Sequence, residues 1–177
     1  LPDAVFKRRW DHIHFYGAGC SSSDKKKIVE ASLVAQFKTP VTVESDLLGA
    51  ARGLLLNEPG IACILGSGSN SCYYDGNSIV KNVLSLGYIL GDEGSAAYVG
   101  KLFISDCLKN IAPQRLVKQF FEYVHLTPEE VMSSIYDNAL PSNVMSVYSR
   151  FLMDKLDQDY VYNLVYTSIK AFFERNV

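Results

Sequence analysis

The sequence predicts an α/β core that carries a helical extension. Three observations support this. Short runs of strand character alternate with segments of helical periodicity through the first hundred residues, the signature of a layered α/β arrangement. In the middle lies Ile61-Ala-Cys-Ile-Leu-Gly-Ser-Gly-Ser-Asn70, followed by Ser71-Cys-Tyr-Tyr-Asp-Gly76. Two apolar runs around a turn of Gly66, Ser67, Gly68, Ser69 and Asn70 read as a hairpin. From Pro113 onward only helical patterns follow.

In chain order, His12-Ile-His-Phe-Tyr16 alternates and reads as a strand, with His12 and His14 on one face. Gly17-Ala-Gly-Cys-Ser-Ser-Ser23 is a loop, from which a serine or Asp24 can cap a helix over Lys25 to Phe37. That helix is expected to present Ile28, Ala31, Val34 and Ala35 on one face. Val41 to Glu44 is a short strand, and Ser45-Asp46 opens a helix through Leu56 that Asn57-Glu-Pro-Gly60 breaks. Its Gly49, Ala50 and Gly53 suit close packing. The hairpin comes next, then a strand over Asn77 to Val83. Ser85 to Gly94 reads as a second glycine-punctuated loop. Beyond it, Ala96, Gly100, Phe103 and Cys107 repeat at helical spacing. Further helices are predicted over Gln114–Val124, after the capping-box sequence Thr127-Pro-Glu-Glu130, around Val144–Leu156 and over Tyr160–Glu174.

A net charge of −2 supplies no electrostatic footprint for nucleic acid or an anionic membrane. No apolar run approaches the ~18–20 residues of a membrane span, and a cytoplasmic location is expected. The four cysteines, Cys20, Cys63, Cys72 and Cys107, lack Cys-x-x-Cys spacing and read as free thiols. His12-x-His14 could ligate a metal, but no third ligand is visible, so no metal site is assigned.

Chemistry concentrates in the glycine-serine turn and the carboxylates Asp46, Asp92 and Glu93. Converging backbone N–H groups in such a turn form an anion-binding nest, and the serine hydroxyls and Asn70 amide add donors. Each carboxylate opens a helix, where an acidic residue is often only structural. Taken together, a phosphate nest, a carboxylate and a second acidic loop are the parts of a phosphoryl-transfer site. The capping and catalytic roles of Asp46 pull against each other electrostatically, yet a loose transition state needs little basicity. The turn is not a Walker A loop, because no Gly-Lys-Ser/Thr follows it, and no Gly-x-Ser-x-Gly elbow is present.

Glu44-Ser-Asp-Leu-Leu-Gly-Ala-Ala-Arg-Gly53, Ile64-Leu-Gly-Ser-Gly-Ser-Asn70 and Leu90-Gly-Asp-Glu-Gly-Ser95 occur in an order and spacing that resemble the BadF/BadG-type ATPases. The likeness is to their N-acetylglucosamine kinase branch, within the actin-like, sugar kinase and Hsp70 fold, and covers about residues 10 to 110. It implies two ribonuclease-H-like domains with ATP, as its magnesium complex, and a sugar in the cleft. Residues 1–57 would be the remainder of the first domain, and residues 58–177 the start of the second with its helical part. The resemblance implies that Asp46 is the base acting on the sugar 6-hydroxyl, and that Ser67, Gly68, Ser69 and Asn70 form the second phosphate loop. Gly87 and Asp92 match the loop that contacts the sugar, and Gly17 to Gly19 match a small-residue loop near it. Ser67 replaces the usual threonine and keeps the hydroxyl. Tyr88 departs from the animal enzymes.

The family's first phosphate loop and adenosine-binding glycine motif find no match here. The chain is therefore expected to be an internal piece of a two-domain kinase of roughly 250–300 residues, inactive alone. The implied reaction is transfer of the γ-phosphoryl group of ATP to N-acetylglucosamine or a related amino sugar. One alternative is the related ATPase that activates 2-hydroxyacyl-CoA dehydratases, which needs loop cysteines for its cluster; the Ser85–Gly94 loop has none. Another is a sugar-sensing module without turnover. The aromatic C-terminal helices offer a surface for a homodimer.

Overall fold

The computed structural model describes Val5 and residues 8–177. The described backbone divides into two compact units, one of the described residues up to 62 together with 72–82, the other of residues 63–71 and 83–177.

The first unit is built on a strand–helix–strand motif. Strand β1 (Ile13–Gly17) leads into helix α1 (Ser23–Phe37), and β2 (Val41–Ser45) returns parallel to β1. A parallel pair needs such a crossover, because its strands must restart at the same end. Ser22 caps α1, its hydroxyl accepting from the Lys25 N–H. The packed stripe of α1 is not the predicted one. Val29 and Leu33 lie against the core of Cys20, Val41 and Val43, while Ile28 and Val34 are exposed. The apolar residues of α1 run nearly all round the helix, so periodicity leaves two stripes open and the sheet chooses between them. Helix α2 (Asp46–Leu55) starts where β2 ends and buries Leu47 and Ala51. Gly49 lets it ride on Tyr16, since a Cβ there would come within 2.9 Å of that ring.

Strands β3 (Gly60–Leu65), β4 (Ser69–Tyr74) and β5 (Ile79–Asn82) form a sheet in that order, with β5 antiparallel to β4. The predicted five-residue turn is shorter than expected. Ser69 and Asn70 already belong to β4, leaving Gly66, Ser67 and Gly68 between the strands. The Gly66 N–H donates to the Gly68 carbonyl at 2.9 Å, so the glycines close the turn by themselves and the ladder starts at once.

The second unit holds the helical extension. The loop expected over Ser85–Gly94 contains one helical turn, α3 (Gly87–Leu90), closed by the Gly91 N–H on the Gly87 carbonyl. Four residues are too few to leave a periodic signal. Helices α4 (Ala96–Leu108), α5 (Gln114–Val124), α6 (Pro128–Tyr136) and α7 (Pro141–Ser149) follow, then a 3-10 segment (Arg150–Lys155) and α8 (Asp159–Asn176). The capping box forms, with the Thr127 hydroxyl on the Glu130 N–H and the Glu130 carboxylate on the Thr127 N–H.

The core of this unit is aromatic. Phe103 meets Phe120 edge-on at 5.0 Å and stacks with Phe151 at 5.8 Å, geometries that suit the ring quadrupoles. Gly100 sets the approach of α4 to α7, because a Cβ there would lie 2.0 Å from the Met145 carbonyl oxygen. Tyr160 donates from its hydroxyl to Asp106 at 2.7 Å. Burial, reinforced by that carboxylate, pushes the phenol up, and burial with Asp106 also pushes the Cys107 thiol up to about 12. Cys20, Cys72 and Cys107 are buried and Cys63 half-buried, all as free thiols. Among the described residues no His/Cys/Asp/Glu group could hold a metal ion, and no helix is long and apolar enough to cross a membrane.

Candidate active site

Each unit carries part of the predicted constellation. In the first, the β1–β2 register pairs Gly17 with Ser45. The Gly17–Gly19 loop and the Ser45-Asp46 strand-to-helix switch therefore leave the parallel pair at the same end. That is the carboxyl end of the strands, where ligands bind in parallel α/β sheets. Gly19 adopts a φ of +77°, a conformation few other residues accept.

Asp46 is spared the capping duty. The Ser45 hydroxyl caps α2 by accepting from the Leu48 N–H at 3.2 Å. Asp46 occupies the first helical position, half-buried, and its Oδ1 accepts from the Leu47 N–H at 2.9 Å. No other hydrogen bond reaches the Asp46 carboxylate among the described residues, so Oδ2 is left without a partner there.

In the second unit the glycine turn is docked on the start of α4. The Ala96 N–H donates to the Gly66 carbonyl at 2.8 Å, and the Ser95 hydroxyl caps α4 on the Tyr98 N–H. The acidic loop closes over the same turn. Asp92, at a φ of +59°, accepts from the Ser69 N–H through Oδ1 at 3.2 Å. Gly68 is needed there, since a Cβ would stand 3.0 Å from Asp92 Oδ2. The structure thus joins Gly68, Ser69 and Asp92 into one cluster.

Ser69 carries the cluster's unmet demand. It is buried, at 6% exposure, and its hydroxyl has no hydrogen-bond partner among the described residues. A buried hydroxyl left unpaired costs about 1–3 kcal/mol, which a ligand oxygen would recover. Ser67 is exposed at the tip of the turn. Two donors remain for a phosphate, the orphan hydroxyl of Ser69 and the exposed hydroxyl of Ser67, while the space over Gly68 is taken by the Asp92 carboxylate. The Ser69 N–H is not among them, because the Asp92 carboxylate already holds it. Gly87, at a φ of +73°, opens α3 upstream of Asp92.

Glu93 has another role. Its buried carboxylate accepts from Arg175 at 3.2 Å and from the Asn176 amide at 3.5 Å, tying the acidic loop to the end of α8. The partners lie more than eighty positions away in the chain, so no local sequence signal could have revealed them.

The chain is a mixed α/β protein, and solved structures resemble it. The "Putative N-acetylglucosamine Kinase" of Porphyromonas gingivalis superposes with a TM-score of 0.90 at 42% identity, over 94% of this chain and 59% of that one. The protein of the same name from Chromobacterium violaceum matches with a TM-score of 0.64 at 18% identity, over 92% and 58%, and shows the shared fold alone. The chain spans less than two thirds of either relative's length. No family model and no curated protein matches the sequence.

Proposed function

We propose that the chain is part of an ATP-dependent sugar kinase of the BadF/BadG type, with the ribonuclease-H-like architecture that its relatives' length leaves room for. Its reaction would be transfer of the γ-phosphoryl group to the 6-hydroxyl of N-acetylglucosamine or a related amino sugar. The observation that carries this reading is the likeness to the Porphyromonas protein, at 42% identity over nearly the whole chain. The uncapped oxygen of Asp46 and the orphan hydroxyl of Ser69 support it.

In this reading Asp46 Oδ2 orients the sugar hydroxyl and takes its proton late, as the oxygen bonds to the γ-phosphorus and ADP leaves. Ser67, Gly68, Ser69 and Asn70 hold the phosphates of ATP. Gly19, Gly87 and Asp92 bind the sugar. Magnesium accompanies ATP and neutralises its phosphate charge; no residue of this chain is assigned to it.

Product analysis tests the proposal. The full-length protein, given Mg²⁺-ATP and N-acetylglucosamine, is expected to yield ADP and a sugar 6-monophosphate in equal amounts, seen by ³¹P NMR. ADP with only inorganic phosphate would contradict it.

A further inference from the structure

The second unit contains a cleft none of whose lining residues has a role in the kinase reading, although its wall α3 begins at Gly87. Its volume is about 850 Å³, within the range of small-molecule sites, and it is walled by α3, α4, α6 and the start of α7. The floor is apolar: Ile104 and Met145 are core residues turned toward it, with Leu108 and Ile135 beside them. Met132, exposed on the rim, adds an adaptable thioether.

The charges of this cleft have one sign. Among the described residues that line it, only Lys101 and Lys109 are charged. Among the described residues neither joins an ion pair. Eight residues apart, Lys101 within α4 and Lys109 at its C-cap, they stand about 12 Å from each other along the helix axis and bracket the apolar floor. Lys101 is half-buried and held in place. Its ammonium donates to the Tyr88 carbonyl at 3.1 Å and sits 5.2 Å from the centroid of the Tyr98 ring. An ammonium has three protons, so two remain for a ligand.

We infer that this cleft is a binding site for an amphipathic anion, namely an acyl-chain carboxylate. The chain lies on the Ile104–Met145 floor and the carboxylate meets Lys101. The apolar floor selects the chain, and the absence of acidic side chains from the lining selects the negative head. Lys109, exposed at the other end, draws the anion in from solvent. The site stands independently of the phosphotransferase reading, and its test reads binding alone.

Titration calorimetry with dodecanoate below its micelle concentration provides that test. One saturable site per chain is expected, with dodecanol, which lacks the charge, binding at least about five-fold more weakly, the worth of one ion pair. Lys101→Met should weaken dodecanoate by a similar factor and leave dodecanol unchanged. Met132→Glu, at an exposed position where folding is not at stake, should repel dodecanoate in particular. Absence of saturable binding would overturn the inference. Equal affinity for dodecanol, or an unchanged dodecanoate affinity in both folded variants, would overturn it as well.

Discussion

At the residue scale, the strongest claims rest on single atoms. Asp46 keeps one carboxylate oxygen free because Ser45 does the capping. Asp46→Asn preserves shape and the bond to the Leu47 N–H but cannot take a proton. It should lower kcat by about 10²-fold or more while leaving the melting temperature nearly unchanged. Gly68→Ala acts by space. The new methyl would stand 3.0 Å from Asp92 Oδ2 and must displace that carboxylate. The variant should fold yet raise the KM for sugar, measured at saturating ATP. Ser69→Ala removes a buried hydroxyl that has no partner among the described residues. Stability should hold or rise slightly in the absence of ligand, while the KM for ATP rises; a drop in stability without ligand would show that the hydroxyl is satisfied internally.

At the scale of elements, what the sequence revealed depended on whether the signal was local. The capping box at Thr127 and the helix over Gln114–Val124 were legible, because capping and a strongly amphipathic stripe are written within a few residues. So was the switch from strand to helix at Ser45-Asp46. The packed face of α1 was not, since Ile28/Val34 and Val29/Leu33 are equally apolar and only the β1–β2 pair decides between them. The turn of α3 and the Glu93–Arg175 pair were hidden for different reasons, one too short and the other too distant. Gly49 and Gly53 looked alike in sequence; Gly49 meets Tyr16 while Gly53 has open space above it. The Gly66–Asn70 segment and the Asp92 loop were each recognisable as candidates, but the bond between Ser69 and Asp92 was not. Helix packing also yields a test. Gly100→Ala forces a methyl to within 2.0 Å of the Met145 carbonyl oxygen, so α4 and α7 must separate. Overpacking of this kind costs about 1–3 kcal/mol, readable by denaturant titration.

At the scale of the molecule, two compact units divide the candidate residues between them: Gly19 and Asp46 in one, the glycine turn, Gly87 and Asp92 in the other. The core of the second unit also sets an alkaline limit on stability. The Cys107 thiol rises from 9.0 to about 12 on folding, chiefly through burial and secondarily through Asp106. The unfolded chain therefore releases this proton first, and stability present below pH 9 declines as pH rises toward about 12. Tyr160 adds to the same trend. Cys107→Ala should flatten the decline between those values in thermal melts, though at the cost of a small cavity. The central claim concerns turnover, and a coupled ATPase assay on the full-length protein tests it most directly. With N-acetylglucosamine present, ADP release should rise well above the sugar-free rate, and Asp46→Asn should abolish that rise. Equal ATP hydrolysis with and without the sugar would contradict the phosphotransferase account.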